Sequence, residues 1–171
     1  MKIIKEEKTI LITSRIIKRK KIDHTLDQII KDNIQKEYKV IVIGDGPDLK
    51  RLKFKYKAFK NIIFKGLIKN TKISHYYQIS EFFVNLSSSE GMSNALIEAM
   101  VNGCKPIISD IPENRDTASS EAIFYNEGDS FKELISHASK LSPQKISDFA
   151  SQRYTQKIQN SFLIKELYSI D

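Results

Sequence analysis

Several things are scarce in this chain, and each scarcity removes a class of function. It carries one cysteine, Cys104, so no internal disulfide forms. Its three histidines, His24, His75 and His137, are scattered and give no metal-ligand spacing. No apolar run approaches the roughly 20 residues of a membrane-spanning helix. The opening "MKIIKEEKTI" lacks the apolar core of a signal peptide. Internal repeats and low-complexity linkers are absent too. A cytoplasmic, reducing location is expected, with peripheral placement at the inner face of the plasma membrane as an open variant.

What is present fits a folded domain. The 171 residues suit one domain with a real core, and 40% hydrophobic with 29% charged residues argues against disorder. Net charge is +7, which suits phosphates, nucleic acid or an acidic membrane. A composition bias toward Lys, Ile and Asn gives the same charge with no partner, so both readings stay open.

Along the chain, strand-like and helix-like stretches alternate. "KTILIT" (8–13), "YKVIVIG" (38–44), "NIIFKG" (61–66), "FFVNLS" (82–87), "KPIISD" (105–110) and "AIFYN" (122–126) read as strands. Helical spacing covers 22–37, with Asp23 as N-cap, then 48–60, 71–80 and the stretch after 87, and finally 129–141 and 143–168. The segment 141–147 reads as a hinge before the last helix. The expected fold class is α/β, a Rossmann-like doubly wound parallel sheet of about six strands. In such sheets ligands bind beyond the carboxyl ends of the strands. The candidate loops are therefore "SRIIKRKK", "GDGP", "GLIKN", "SSSEGMSN" and "SDIPENRD".

One of these loops opens the segment "SSSEGMSNALIEAMVNG" (87–103). A helix starting there directs free N–H groups around Met92, Ser93 and Asn94, and its positive dipole end, toward the crevice, which suits a phosphate. Gly91 permits close backbone approach. Two carboxylates, Glu90 and Glu98, suit paired sugar hydroxyls, so the combination points to a nucleotide sugar. The alternative keeps Glu90 as a capping acid and Glu98 as a solvated helix residue. In the first loop Arg15 and Lys20 stand where both reach a diphosphate, or form a solvated basic face.

Residues 8–126 resemble the C-terminal half of retaining glycosyltransferases built from two Rossmann domains, the GT-B architecture. The resemblance runs in order through "SRIIKRKKID", "VIVIGDGPDLKRL", "NIIFKGLI", "YYQISEFFVNLSSSEGMSNALIEAMVNGCKPIISDIPENRD" and "AIFYNEGDSFKEL". It implies that Arg15 and Lys20 hold the donor diphosphate, with Glu90 beside them on hydroxyls of the donor sugar, as the catalytic set. It further implies that Glu98 grips the ribose, that the backbone of Gly91, Met92, Ser93 and Asn94 binds phosphate, and that Gly66, Leu67 and Ile68 lie along the base. "GDGP" would shape a turn, with Asp45 a ribose neighbour, and Gly103 would cap the helix before Cys104 and Lys105.

Ser14 and Lys21 stand where relatives usually carry glycine, and Met-Ser-Asn replaces the usual Phe-Gly after Glu90-Gly91. That variant resembles transferases of bacterial surface polysaccharides, lipopolysaccharide and O-antigen among them, acting on UDP-linked hexoses or N-acetylhexosamines. No Asp-x-Asp pair occurs, so the donor is expected to bind without a metal or other cofactor. The implied organisation is a donor-binding domain at 1–142 with a helical extension at 143–171. An acceptor-binding N-terminal domain is then required, in cis or as a partner subunit, and 143–168 would cross back onto it as the most mobile part of the isolated chain.

Two other classes remain open from sequence. One is a non-catalytic nucleotide-binding or protein-interaction module. The other rests on "LKRLKFKYKAFK" (49–60), where basic residues alternate with Phe54, Tyr56 and Phe59. No nucleic-acid module is recognisable there, so no nucleic-acid partner is expected; the same helix also suits contact with an anionic membrane.

Overall fold

The computed structural model describes residues 5–91 and 93–167. In order the elements are β1 (Glu6–Thr13), α1 (Ile22–Lys31), β2 (Lys39–Ile43), α2 (Leu49–Lys55), β3 (Ile62–Gly66), α3 (Asn70–Ile79), β4 (Ser80–Asn85), α4 (Asn94–Val101), β5 (Lys105–Ser109), α5 (Pro112–Ala118), β6 (Ile123–Tyr125), α6 (Phe131–Ser139) and α7 (Pro143–Leu167). The strands form one sheet in the order β3-β2-β1-β4-β5-β6. Every neighbouring pair is parallel, with Leu11 opposite Ile41 on one side and Phe83 on the other.

The apolar runs in the central strands follow from burial on both faces. On one face Ile10, Ile12, Val40, Val42, Phe82 and Val84 meet Leu26 and Ile29 of α1, Leu52 of α2 and Phe131 of α6. On the other face Leu11, Ile41 and Phe83 meet Tyr77 of α3, Leu96 and Met100 of α4, and Ile146 and Ala150 of α7. Leu11 is fully enclosed, and truncating such a side chain to alanine costs about 2–5 kcal/mol. The strand order reverses between β1 and β4, which opens a crevice at their carboxyl ends. No helix among the described residues is long and apolar enough to cross a membrane.

Several boundaries differ from the sequence expectation. The helix read over 22–37 ends at Lys31, because Asn33 turns into the left-handed region and starts a 3₁₀ turn at Ile34–Lys36 that buries Ile34. Asp23 is not its N-cap: Lys21 holds that position and Asp23 lies in the first turn. The helix read over 48–60 stops at Lys55. "SDIPENRD" is not all loop, since Pro112 begins α5 with its fixed φ at the first helical position. Strand β4 starts two residues earlier than read.

Helix α7 begins as part of the domain. Ser147 donates to the Val101 carbonyl at 2.6 Å, Tyr154 donates to Thr117 O at 2.9 Å, and the backbone departs from helical angles at Tyr154. Residue 168, the end of the helix read over 143–168, lies outside the described residues, as do 169–171.

Candidate functional site

The loops after β1 and β2 cross at backbone contact. Ser14 N–H donates to Ile43 O at 3.1 Å, Ile16 N–H to Asp45 O at 2.8 Å and Asp48 N–H to Ile16 O at 3.2 Å. A methyl group on Gly44 would stand 1.8 Å from Ser14 O, and one on Gly46 would stand 2.3 Å from Ile16 O. Glycine at both places is what lets "GDGP" turn against the first loop. That loop then makes a 3₁₀ turn at Lys18–Lys20 and closes with Lys21 at φ 47°. Lys21 thus stands in the left-handed region that favours glycine, and carrying a side chain there costs roughly 1–2 kcal/mol.

Above this crossing lies a cavity of about 480 Å³. Residues from four carboxyl-edge segments line it: Arg15 after β1, Asp45 after β2, Leu67 and Ile68 after β3, and Asn94 and Glu98 on α4. Arg15 is exposed and makes no ion pair among the described residues. Asp45 accepts from Gly46 N–H at 2.7 Å, so its carboxylate also braces the turn. Glu98 is not a solvated helix residue: it borders the cavity and accepts a hydrogen bond from Tyr77. The Tyr77 hydroxyl lies 2.9 Å from Thr13 Oγ1. Burial, followed by the Glu98 charge, pushes the Tyr77 hydroxyl well above its ordinary pKa and keeps it protonated.

Lys20 and Glu90 are brought together, but as a pair beside the cavity. Lys20 Nζ donates to Glu90 Oε2 at 2.6 Å, with the two side chains only 15% and 6% exposed. The other carboxylate oxygen accepts from Asn85 Nδ2 at 2.8 Å. Asn85 in turn accepts from Ser87 Oγ at 2.5 Å and from Ser87 N–H at 3.2 Å. The chain of contacts continues inward: Ser109 Oγ donates to Ser87 O at 2.6 Å, and Asn114 donates to Ser109 O at 2.9 Å. Burial alone would raise the Glu90 pKa, yet the hydrogen bonds from Lys20 and Asn85 and the Lys20 charge outweigh it and hold the carboxyl below its ordinary value. Ser88 ties the two loops by donating to Arg19 O from N–H at 3.1 Å and from Oγ at 3.2 Å.

Glu90 is therefore no helix cap. Ser93 caps α4 and accepts from Leu96 N–H at 3.3 Å. Its hydroxyl is committed to the helix, and Asn94 and Ala95 at the start of α4, where backbone N–H groups lack intrahelical partners, line the cavity. Gly91 is exposed with open space around its Cα, and Gly66, at φ 71°, accepts from Gly44 N–H at 2.9 Å. Met92 lies outside the described residues. At the far end Gly103 takes φ 72°, its N–H donates to Met100 O at 2.8 Å and Cys104 N–H to Ala99 O at 2.9 Å, the two bonds of a Schellman motif.

Sequence reasoning missed Tyr77 and Thr13, which back Glu98, and Asn85 and Ser87, which seat Glu90. Asn85 carried a usable signal. It is the one amide at the carboxyl end of the apolar run "FFV" in β4, where a ligand edge is expected.

Comparison with known proteins places this geometry. The chain is 30% identical over 140 residues to the alpha-monoglucosyldiacylglycerol synthase of Acholeplasma laidlawii, covering 77% of this chain and 34% of that protein. It is 29% identical over 153 residues to an Escherichia coli UDP-Gal:alpha-D-GlcNAc-diphosphoundecaprenol alpha-1,3-galactosyltransferase, covering 82% of this chain and 39% of the other. The chain thus spans between a third and two-fifths of the length of these relatives. Its fold matches that of Anabaena Alr3699/HepE, solved with UDP-glucose, at a TM-score of 0.74, 15% identity and coverage of 95% of this chain and 49% of that one. Residues 2–153 match the family model described as glycosyl transferases group 1, and the chain belongs to that family.

Proposed function

We propose that this chain is the donor-binding half of a retaining GT-B glycosyltransferase that moves a sugar from a UDP-linked hexose or N-acetylhexosamine. The acceptor would be a saccharide or a lipid-linked acceptor in polysaccharide, lipopolysaccharide or O-antigen synthesis. The observation that carries the reading is the shared cavity: Arg15, whose guanidinium makes no ion pair among the described residues, and the α4 N-terminus stand with Glu98 and its Tyr77 partner around one space. The first two suit a diphosphate and the third suits vicinal hydroxyls. The names of the relatives support the substrate class, one carrying a UDP-galactose donor and a diphosphoundecaprenol acceptor, the other a glucosylated diacylglycerol.

In this reading Arg15 and Lys20 neutralise the departing diphosphate, without a metal, as preorganised charges. Lys20 reaches the phosphate by sharing or leaving Glu90, which then accepts from the donor sugar. Leu67 and Ile68 flank the base, with Gly66 shaping their turn, and backbone N–H groups from Gly91 to Asn94 meet phosphate. The donor domain spans 1–142, with 143–171 as its helical extension. Transfer needs the acceptor held at reacting distance, an advantage of about 7–11 kcal/mol, so an N-terminal α/β domain is required in cis or in trans. The family assignment favours this over a non-catalytic binding module.

Thermal-shift titration of the chain with UDP, ADP, GDP and their sugar conjugates tests it. UDP compounds should raise the melting temperature most, since ligand binding to the native state is stabilising by mass action. A flat response to every nucleotide would refute it.

A further inference from the structure

Positive charge is concentrated in one part of this protein. Residues 49–80, which form α2, β3 and α3, hold nine basic residues and no Asp or Glu. The rest of the chain holds the other 19 of the 28 basic residues and all 21 acidic ones. The net positive charge thus belongs entirely to this segment. β3 is the edge strand of the sheet, so α2, β3 and α3 together make one flank of the molecule.

All nine cations on this flank are exposed. Arg51 is neutralised by Asp23 and Asp48 at 3.3 Å each, and Lys55 by Asp27 at 2.7 Å. The other seven, Lys50, Lys53, Lys57 and Lys60 among them, pair with no carboxylate among the described residues. Among the described residues, the flank also holds the large hydrophobic side chains most open to water, Phe54 at 71% and Leu67 at 81% exposed. Phe54 stands at the end of α2 with Lys57 Nζ 4.3 Å from its ring centroid. Unpaired ammonium groups around an unburied aromatic residue carry a cost in self-repulsion and in wetted apolar surface, and an anionic partner with an apolar interior relieves both.

We propose that the β3 flank is a docking surface for an anionic lipid bilayer. Lysines provide point charges that are attracted to acidic headgroups without a fixed geometry, while Phe54 and Leu67 enter the headgroup boundary. Nucleic acid fits less well. Eight of the nine cations are lysine, and the single arginine is held by two aspartates, so no guanidinium is free to fork phosphates or stack on bases. Leu67 also lines the cavity, so docking here brings the cavity mouth toward the headgroups. The inference stands on charge and exposure alone and does not require the donor reading.

The test is flotation of the full chain with phosphatidylcholine vesicles, with and without phosphatidylglycerol, at low and high salt. Binding is expected to anionic vesicles only and to weaken with salt. Replacing Lys50, Lys53, Lys57 and Lys60 by serine should weaken it about fivefold per lysine, on the order of a hundredfold or more together. Replacing Lys31, Lys132, Lys140 and Lys145, exposed residues outside the flank, produces the same net charge and should leave most binding intact. Phe54→Ser should weaken binding about three- to tenfold through lost apolar contact. UDP affinity should be unchanged in the flank variant, which separates this proposal from the donor-site reading. No vesicle binding, equal binding to neutral vesicles, or equal loss in both quadruple variants would overturn the proposal. So would tighter binding of single-stranded RNA than of anionic vesicles through the same four lysines.

Discussion

Replacing Glu90 by glutamine should make the protein less stable and its grip on UDP tighter. Glu90 accepts from Lys20 at 2.6 Å and from Asn85 at 2.8 Å in a setting where its side chain is 6% exposed. Losing the charge in these bonds should cost about 1.5–3 kcal/mol of stability. In a domain of this size that lowers the melting temperature by roughly 3–10 °C. The same substitution frees Lys20 from a full negative charge and removes that charge from beside the proposed diphosphate position. Two unit charges about 6 Å apart at an effective dielectric of about 20 repel by roughly 3 kcal/mol before salt screening. A net gain of about 1 kcal/mol, or roughly fivefold in UDP affinity, is the expected remainder. A UDP-sugar should not share the gain, because the glutamine amide replaces a carboxylate that accepts from sugar hydroxyls, so its affinity relative to UDP should fall about tenfold. Calorimetric titration of both ligands, paired with melting curves, reads all three effects. A folded Glu90→Gln protein that binds UDP more weakly, with an unchanged ratio of UDP-sugar to UDP, would refute the reasoning.

Glu98→Gln should instead reduce UDP affinity about tenfold and deoxyribose UDP much less, because a site built for hydroxyl donors discriminates only when they are present; equal losses would reject a ribose role. Lys21→Gly should raise stability by about 0.5–1 kcal/mol, the left-handed strain removed less the backbone entropy of glycine, read as a higher denaturant midpoint. The pH dependence of stability follows from Glu90. Its pKa is lower in the folded state than in the unfolded chain, so its contribution is present at neutral pH and is lost as pH falls from the ordinary carboxylate value through the lowered one. Acid titration of stability should therefore show a shallower acid limb in Glu90→Gln than in the parent, and identical limbs would contradict the assignment.

The sheet was legible because its strands are buried on both faces and write that burial as unbroken apolar runs, "VIVI" in β2 and "FFV" in β4. Helix ends were harder. Asn33 stops α1 by a left-handed turn that no glycine or proline announces, and Lys21 does the same before the helix. At the site, the loops that carry Arg15, Leu67 and Ile68 and the helix that carries Asn94 and Glu98 could be placed near one crevice because they follow strand ends, while the base role of Leu67 and Ile68 and the ribose role of Glu98 came only with the family resemblance. That Glu90 is locked to Lys20 was not legible. The pairing joins residues 70 apart and depends on Asn85 and Ser87, whose role exists only once β4 and the loop after it are folded against the first loop. Tyr77 was hidden for a similar reason: it sits on α3, reads as a core aromatic, and borders the cavity only once α3 is packed against the sheet.

Arg15 and Lys20 are the proposed partners of the nucleotide diphosphate. Calorimetric titration of UDP into the parent chain and into the Arg15→Ala, Lys20→Ala double variant measures that contact. Each charge-assisted contact is worth about 1.5–3 kcal/mol, so the double variant should lose on the order of a hundredfold or more in affinity while its melting curve still shows a folded domain. Equal UDP affinity in the two proteins would contradict the account.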